Sequence, residues 1–238
     1  MMTLIVCDIA GTTVNEDGIV YRQLRDCVER RGVEVTSDQV NAVKGTEKRS
    51  AIASLLSAGG RDTSDGEVAE VFADFMDGLR HAYADQPPRP IDGVEDVLSR
   101  LRAEGARIAL TTGFQRSIAD TVLEACGWAV AGTDREGRER GARFVVDALV
   151  TSDTVVAGRP APYLIHHAME LTGVTSVDDV VSVGDTVADL QAAANAGVRG
   201  IGVLTGSVPR ETLAAQPHSL ILDSLADVPE LDQVPRLR

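Results

Sequence analysis

Lysine is scarce in this chain. Of its 23 basic residues only two are lysines, Lys44 and Lys48, which lie four positions apart in the stretch Lys44-Gly-Thr-Glu-Lys48-Arg49. An arginine keeps its charge in a protein, whereas a lysine amine can lose its proton and react. Two interpretations follow. The lysines lie on an exposed helix face, which is their usual place, or one of them is kept for chemistry.

Cysteines and long apolar runs are also few. Cys7, Cys27 and Cys126 stand singly, without the paired spacing that indicates a zinc site or a disulfide framework. We therefore expect reduced thiols in a cytoplasmic protein. No apolar run has the length of a membrane span, and residues 1–8 lack the basic leader of a signal peptide.

Basic residues are fewer than acidic ones, and the 238 residues carry a formal net charge of -13. An acidic surface repels phosphate-rich partners, so we expect neither a nucleic acid nor an anionic membrane as partner. An anionic substrate must then meet a locally positive site. With 44% hydrophobic residues the chain can bury one substantial core, or one core and a smaller satellite domain.

The distribution of apolar residues predicts an α/β protein. Residues 3–8 are a short apolar run that ends in Asp8 and a glycine turn, as a buried strand does. From 19 to 84 the pattern is helical throughout, and after 86–90 helices alternate with short strands, which is typical of right-handed βαβ units and a parallel sheet. The predicted helices there are 94–103, 116–125, 160–171 and 188–196, and the predicted strands are 107–110, 148–150, 180–183 and 200–203.

We therefore predict a doubly wound, Rossmann-like parallel sheet core formed by residues 1–14 and 88–238. A helical cap domain, 15–87, is inserted after the first strand. Segment 132–143 carries charges of both signs and three glycines, and we interpret it as a solvated excursion between two elements.

Polar residues follow the ends of the predicted strands. In open parallel sheets ligands bind at the carboxyl ends of strands, so these residues are the candidates for a functional site. They form four groups along the chain: Asp8 with Gly11 and Thr12; Thr112 with Gly113; Arg159 with Pro160; and Asp185 with Asp189.

The residue types in these groups suit a phosphorylated ligand and a metal ion. The backbone amides of Gly11 and Thr12 and the Thr112 hydroxyl can address an anion. Arg159 directly before a helix that begins with proline would place a guanidinium and a helix N-terminus at one phosphoryl group. Mg²⁺ takes few carboxylates together with water and phosphate oxygens, which suits Asp8 with Asp185.

Each group alone also has a purely structural interpretation. An Asp at a strand end commonly caps a helix or closes a turn, a Thr-Thr-Gly sequence can be only a turn, and Arg159 can be a surface cation. All four groups in succession, with two carboxylates available for one divalent ion, favour the functional interpretation.

These residues resemble the four motifs of the haloacid dehalogenase superfamily, carried here by Asp8 with Thr12, Thr112, Arg159, and Asp185 with Asp189. The helical segment after the first strand is similar to that superfamily's cap. The resemblance implies that Asp8 is a nucleophile that takes a phosphoryl group as an aspartyl phosphate. It further implies that Asp8, the carbonyl of Ala10 and Asp185 hold Mg²⁺.

Two departures from that pattern resemble one branch, the phosphonoacetaldehyde hydrolases. Ala10 stands where phosphatases carry a second Asp to protonate the leaving alcohol, and Arg159 stands where a lysine is usual. The branch also has a cap lysine three residues after a glycine, which Lys48 and Gly45 match. Other positions differ from that branch: its usual Trp, Tyr, Cys and His are replaced by Ile9, Phe114, Gly18 and Ala51.

The chemistry agrees with this resemblance. A bare carbanion is a poor leaving group, but an imine between Lys48 and a carbonyl β to phosphorus lets an enamine depart, which needs no acid at position 10. Arginine cannot form that imine. At pH 7 only about one free lysine in 2,500 is neutral, so Lys44, Arg49, Mg²⁺ or burial must lower the pKa of Lys48. Glu47 would raise it if the side chain faces inward.

The sequence thus predicts a hydrolase for phosphonoacetaldehyde or a related 2-oxoalkylphosphonate. A phosphate-monoester phosphatase or sugar-phosphate mutase is the alternative that Ala10 argues against, since both need the second Asp. A non-catalytic phosphometabolite-binding protein is the other. The resemblance also implies that the cap can pair two chains into a homodimer.

Overall fold

A six-stranded parallel sheet lies at the centre of the molecule. The structure is a computed structural model and describes residues 3–43, 46–132 and 141–236. The strand order is β10-β9-β8-β1-β4-β7, and every neighbouring pair is parallel. These strands are β1 (Leu4–Asp8), β4 (Arg107–Thr111), β7 (Ala148–Val150), β8 (Val180–Gly184), β9 (Arg199–Val203) and β10 (Leu220–Leu222). The predicted doubly wound fold is confirmed.

The strand order places β1 at the point where the winding reverses. β1 pairs with β4 on one side and with β8 on the other, and all five of its residues are buried. A strand covered on both faces by helices is apolar along its whole length, which is why residues 4–7 are Leu-Ile-Val-Cys. Asp8 interrupts this run at the carboxyl end, where Asp8 pairs in register with Thr111.

Helices cover both faces of the sheet. They are α5 (Val94–Ala103), α6 (Arg116–Ala125), α7 (Tyr163–Thr172), α8 (Val187–Ala196) and α9 (Arg210–Ala214). Two apolar clusters result, one on each face: Ile5 and Cys7 of β1 belong to the larger, and Leu4 and Val6 to the smaller. The alternation within one strand reflects the two-residue period of side chains along a sheet.

Between positions 15 and 88 the described residues form four helices: α1 (Ile19–Glu29), α2 (Ser37–Ala42), α3 (Lys48–Ala58) and α4 (Asp65–Asp85). α4 buries one stripe of apolar residues at helical spacing and packs against α1 and α3. A small antiparallel ribbon, β2 (Val14–Asn15) with β3 (Arg89–Pro90), joins the two points where the chain enters and leaves this segment. The division into core and cap at 14/15 and 87/88 stays a prediction.

Three local predictions were wrong or incomplete. The helix predicted from Pro160 begins at Tyr163, because Ala161 precedes a proline, which disfavours helical backbone, and its N–H instead closes a turn on the Gly158 carbonyl. β10 was not recognised as the sixth strand. A short parallel pair, β5 (Trp128–Val130) with β6 (Phe144–Val146), was also missed, and part of the predicted excursion between them, 133–140, lies outside the described residues.

Two expectations about cysteines and membranes can be compared with the structure. Cys7, Cys27 and Cys126 are all buried free thiols. Among the described residues, no helix has both the length and the apolar character that crossing a membrane requires.

Candidate active site

The loop after β1 holds Asp8 at the carboxyl edge of the sheet. The backbone N–H groups of Thr12, Thr13 and Val14 all donate to the Ile9 carbonyl, so the chain turns sharply directly after the strand. Gly11 has φ +89°, which side chains with a Cβ rarely adopt. The tight turn leaves Asp8 buried but directed to the strand ends, as the sequence predicted.

Arg159 is buried between two carboxylates. Its Nη2 donates to Asp8 Oδ1 at 2.7 Å, and its Nη1 forms an ion pair with Asp189. The Arg159 Nε is buried and has no hydrogen-bond partner among the residues that the structure describes. A buried donor without a partner is costly, and an anionic ligand between the strand ends could satisfy it. Arg159 thus joins the site, although the helix expected directly after it, at Pro160, begins only at Tyr163.

Asp185 and Asp189 do not share the first turn of a helix, as their spacing had suggested. α8 begins at Val187 and is capped by Thr186, whose hydroxyl accepts from the Asp189 N–H while the Asp189 carboxylate accepts from the Thr186 N–H. This capping box fixes the Asp189 side chain. Asp189 is therefore occupied by Thr186 and Arg159, and Asp185 lies before the helix with a carboxylate open to the cleft.

The carboxylates of the site suit a divalent cation. Oxygens of Asp8, Asp185 and Asp189 lie within 4.8 Å of one another, and all three residues are buried. Burial and the neighbouring Asp8 raise the pKa of Asp185. Because two buried carboxylates repel each other, a bound cation would stabilise the charged form of both.

Small residues leave the space beside Asp185 open. A Cβ at Gly11 would lie 2.7 Å from Asp185 Oδ2, and one at Gly206 would collide with the same carboxylate. The Thr12 hydroxyl donates to Asp185 Oδ1 at 3.1 Å and orients it. The predicted ligands Asp8, Asp185 and the carbonyl of Ala10, which belongs to the same turn as Gly11, therefore fit Mg²⁺, and Asp189 fits the supporting role predicted for it.

The end of β4 supplies Thr112 and Gly113, both buried. The Thr112 Oγ1 accepts from the Phe114 N–H at 3.0 Å, so its hydroxyl proton remains available to a ligand. Since β4 pairs with β1 in register up to Asp8, Thr112 follows one position beyond that pair. This agrees with a phosphate-binding role for Thr112 and Gly113.

Lys48 is the first residue of α3 and is buried, with 2% of its surface exposed. Its Nζ donates to the Thr46 carbonyl at 2.9 Å and lies 5.4 Å and 5.5 Å from the ring centres of Tyr21 and Phe114. The interpretation of an exposed lysine is therefore wrong for Lys48. Lys44 and Gly45 lie outside the described residues.

The surroundings of Lys48 favour the neutral amine. Burial and the charge of Arg159 lower its pKa to about 8, although Asp8, Glu47 and Glu16 act in the opposite direction. A helix N-terminus also disfavours a cation. The Glu47 carboxylate does not bind the amine, because it accepts from the N–H groups of Arg49 and Ser50 and so caps α3.

Glu16 is a buried carboxyl group that the sequence did not reveal. It has 7% of its surface exposed, and its Oε2 accepts from the Val20 N–H at 2.7 Å. Burial raises the pKa of Glu16 to about 7, while Val20, Lys48 and Arg22 lower it by smaller amounts. The sequence Asn15-Glu16-Asp17-Gly18 is typical of a polar turn. Nothing in it distinguishes the buried Glu16 from the exposed Asp17.

A cavity of about 590 Å³ lies between the strand ends and the start of α1. Ala10, Gly11 and Asp185 line it from the strand ends, and Glu16 and Tyr21 line it from the loop before α1 and from α1 itself. A small organic ligand in this cavity would meet the candidate metal site and the ring beneath Lys48 together.

Comparison with known proteins agrees with this geometry. A model of the haloacid dehalogenase-like hydrolases matches residues 2–197, and the chain belongs to that family. Phosphonoacetaldehyde hydrolase of Parabacteroides distasonis is 31% identical over 261 residues, an alignment that covers 94% of this chain and 93% of the relative. Within the family, the chain thus falls in the phosphonoacetaldehyde hydrolase-like branch.

Solved structures confirm the fold. A hydrolase from Pseudomonas syringae superposes with a TM-score of 0.79 at 18% identity and covers 95% of each chain. A β-phosphoglucomutase from Clostridium difficile superposes with a TM-score of 0.78 at 15% identity, covering 96% of this chain and 94% of its own. At these identities the similarity concerns the fold, which hosts more than one chemistry.

Proposed function

We propose that this protein is a Mg²⁺-dependent hydrolase that cleaves the carbon-phosphorus bond of phosphonoacetaldehyde or a related 2-oxoalkylphosphonate. The buried Lys48 carries this proposal, because its amine interacts electrostatically with the predicted nucleophile Asp8 and with Arg159 and because its pKa is lowered to about 8. With that pKa about one amine in ten is neutral at pH 7, compared with about one in 2,500 for a free lysine. Family membership and the named relative support the same reaction class.

Lys48 begins the reaction by condensing with the substrate carbonyl. Its nitrogen bonds to the carbonyl carbon, the carbonyl oxygen leaves as water with one proton from that nitrogen and one from an acid, and a protonated imine remains on α3. The rings of Tyr21 and Phe114 beside the Nζ stabilise the positive charge of that imine. They also exclude water, which protects the imine from premature hydrolysis.

Asp8 then attacks phosphorus. The new bond joins an Asp8 carboxylate oxygen to phosphorus, while the electron pair of the carbon-phosphorus bond moves into the imine and leaves as an enamine. Arg159, Thr112 and Gly113 bind the phosphoryl oxygens and align them. Because the departing carbon needs no proton at this step, Ala10 in the usual acid position is no obstacle.

Water finally hydrolyses the aspartyl phosphate, and hydrolysis of the enamine frees Lys48. Mg²⁺ held by Asp8, the Ala10 carbonyl and Asp185 would neutralise charge on the phosphoryl group. Arg159 keeps its two carboxylate partners in place through the cycle, since Asp189 is itself fixed by Thr186.

Phosphate release from a panel of substrates tests the proposal. The panel contains phosphonoacetaldehyde, 2-oxopropylphosphonate, ethylphosphonate and simple alkyl phosphate monoesters, each with Mg²⁺ and with EDTA. We expect release only from the two oxophosphonates, and only with Mg²⁺. Cyanoborohydride, which reduces an iminium and spares a free carbonyl, should inactivate the enzyme only with substrate and leave the substrate-derived mass on Lys48.

Lys44→Arg is the matched control, because Lys44 is the only other lysine. This variant should keep activity and the label on Lys48. Faster hydrolysis of alkyl phosphate monoesters than of any oxophosphonate would instead identify a phosphatase. Phosphonate binding without any phosphate release would identify a non-catalytic binding protein.

A further inference from the structure

Glu16 is the one buried carboxyl group near Lys48, among the described residues, that the proposed reaction has not used. We propose that Glu16 is the general acid and base of imine formation, carrying protons between the Lys48 nitrogen and the substrate oxygen. This inference rests on the proposed function and deepens it. The branch's usual His near the lysine is replaced by Ala51, which leaves that proton transfer without an evident carrier.

The position of Glu16 fits this task. It lines the same cavity as Asp185 and Tyr21, and the Tyr21 ring lies under the Lys48 Nζ. In the described part of the chain Glu16 and Lys48 form no ion pair with each other, since the Glu16 carboxyl accepts from Val20 N–H and the Lys48 Nζ donates to the Thr46 carbonyl. The two groups nevertheless interact electrostatically.

The proton transfers balance as follows. Neutral Lys48 attacks the carbonyl carbon while protonated Glu16 gives its proton to the carbonyl oxygen, which produces a protonated amino alcohol and a carboxylate. Glu16 takes one proton from nitrogen and returns it to the hydroxyl. The hydroxyl leaves as water, the nitrogen lone pair forms the iminium, and Glu16 ends as a carboxylate beside that positive charge.

The pKa values of the pair suit one shared proton. The pKa of Glu16 is raised to about 7 and that of Lys48 is lowered to about 8. Lys48, Arg22 and Tyr83 interact with Glu16 from α3, α1 and α4, and Arg159, Asp8 and Glu47 also interact with Lys48. Since the active form holds one proton on the pair, activity should pass through a maximum between about pH 7 and 8.

Glu16 also has a structural contact, because it accepts from Val20 N–H at the start of α1. A glutamine at this position keeps an acceptor oxygen for Val20 but cannot transfer a proton. Glu16→Gln therefore separates the two roles. A structural role predicts an unchanged reaction, whereas a proton-transfer role predicts a slow one in a variant that is at least as stable as the wild type.

The test measures two rates on the full-length protein with saturating Mg²⁺ and phosphonoacetaldehyde. One is the rate at which cyanoborohydride labels Lys48, and the other is the rate of phosphate release. We expect both rates to fall by about 10²- to 10⁴-fold in Glu16→Gln, which is the usual contribution of general acid-base catalysis. The decline of the wild-type rate above pH 8 should disappear in the variant.

Asp17→Asn is the matched control. It removes an exposed carboxylate from the same loop, whose Oδ1 contacts Asn15 and Arg89 and not a group of the proposed reaction, and asparagine tolerates the φ of +50° found there. This variant should react like the wild type.

Two results would overturn the assignment of Glu16 alone: rates within threefold of wild type in Glu16→Gln, or lost turnover with undiminished labelling of Lys48. Failure of the wild type to release phosphate and to be labelled would instead overturn the proposed function itself.

Discussion

Buried charged groups have different surroundings at the strand ends of the sheet and on the helical side of the site. At the strand ends, Arg159 lies between Asp8 and Asp189, so each of these three charges has a partner of opposite sign. On the helical side, Glu16 and Lys48 are just as buried, yet within the described ranges each forms hydrogen bonds with the backbone only. Pairing keeps charged groups charged, whereas burial without a partner favours the neutral form.

This difference separates two kinds of chemical work. A phosphoryl group needs fixed charges that are already in place, which the strand ends supply. Imine chemistry needs groups that gain and lose protons near neutral pH, which Glu16 and Lys48 supply with pKa values of about 7 and 8. Substitutions on the two sides should therefore fail in different ways.

The largest effect is expected at Asp8. Asp8→Asn keeps the size of the side chain and removes the nucleophilic carboxylate, so kcat should fall by at least about 10³-fold, or about 4 kcal/mol of barrier. Steady-state phosphate release measures this loss, and circular dichroism checks the fold. Asp120→Asn, which changes an exposed carboxylate on α6, is the control. Retention of more than about a tenth of the wild-type kcat would exclude a covalent role.

Lys48→Arg should be the next most damaging change. It keeps the positive charge but cannot condense with a carbonyl, so carbon-phosphorus cleavage should fall by at least about 10²-fold. Binding of a phosphonate at Arg159 should persist, which calorimetry with Mg²⁺ and a non-hydrolysable phosphonate can measure. Normal turnover in this variant would refute the imine and would return the chain to the phosphatase alternative.

Asp189→Asn tests the paired side through stability. It leaves Arg159 with one partner fewer in a buried site, so the free energy of unfolding in urea should fall by about 3 kcal/mol. Glu104→Gln breaks the half-exposed Arg100–Glu104 ion pair on α5 and should cost less than about 0.5 kcal/mol. Equal losses in the two variants would mean that burial does not distinguish these pairs.

The smallest effect concerns pH and Glu16. The folded protein holds the Glu16 proton up to about pH 7, whereas an ordinary glutamate loses it near 4.5, so this group makes stability fall as pH rises through that window. Glu16→Gln has no such proton. Its free energy of unfolding should match the wild type near pH 4.5 and exceed it at pH 8, by at most about 3 kcal/mol.

Urea unfolding at several pH values measures this difference. Asp17→Asn serves again as the control and should change stability by less than about 0.5 kcal/mol. A difference between Glu16→Gln and wild type that does not grow with pH would show that Glu16 is not held neutral by burial.

The strand-end side could be predicted from the sequence because its signals are local. An apolar run that stops at Asp8, and the Asp185 that follows the Val180–Gly184 strand, show where the strands end. Because ligands bind at the carboxyl ends of strands in such sheets, these positions predict where the site lies. The first residue of a helix was harder to predict. Whether α7 begins at Pro160 or Tyr163 depends on a turn hydrogen bond that the spacing of apolar residues does not reveal.

The helical side could be predicted only in part. Lys48 was recognised from its residue type and its place after Gly45, but its burial depends on Tyr21 and Phe114, which are distant in the chain. Glu16 was missed because a carboxyl group in a polar turn looks like its exposed neighbour Asp17. What separates the two is the packing of the loop, which no short-range pattern encodes.

The sequence by itself determined the parallel sheet, the identity of the groups at its strand ends and the residue capable of forming an imine, because periodicity and side-chain chemistry are properties of the chain. Only the tertiary structure decided which charges are paired and which are buried alone. A pKa depends on the solvent and charges around a group, and residues far apart in sequence create those surroundings. Glu16 and Lys48 acquire their reactivity in this way.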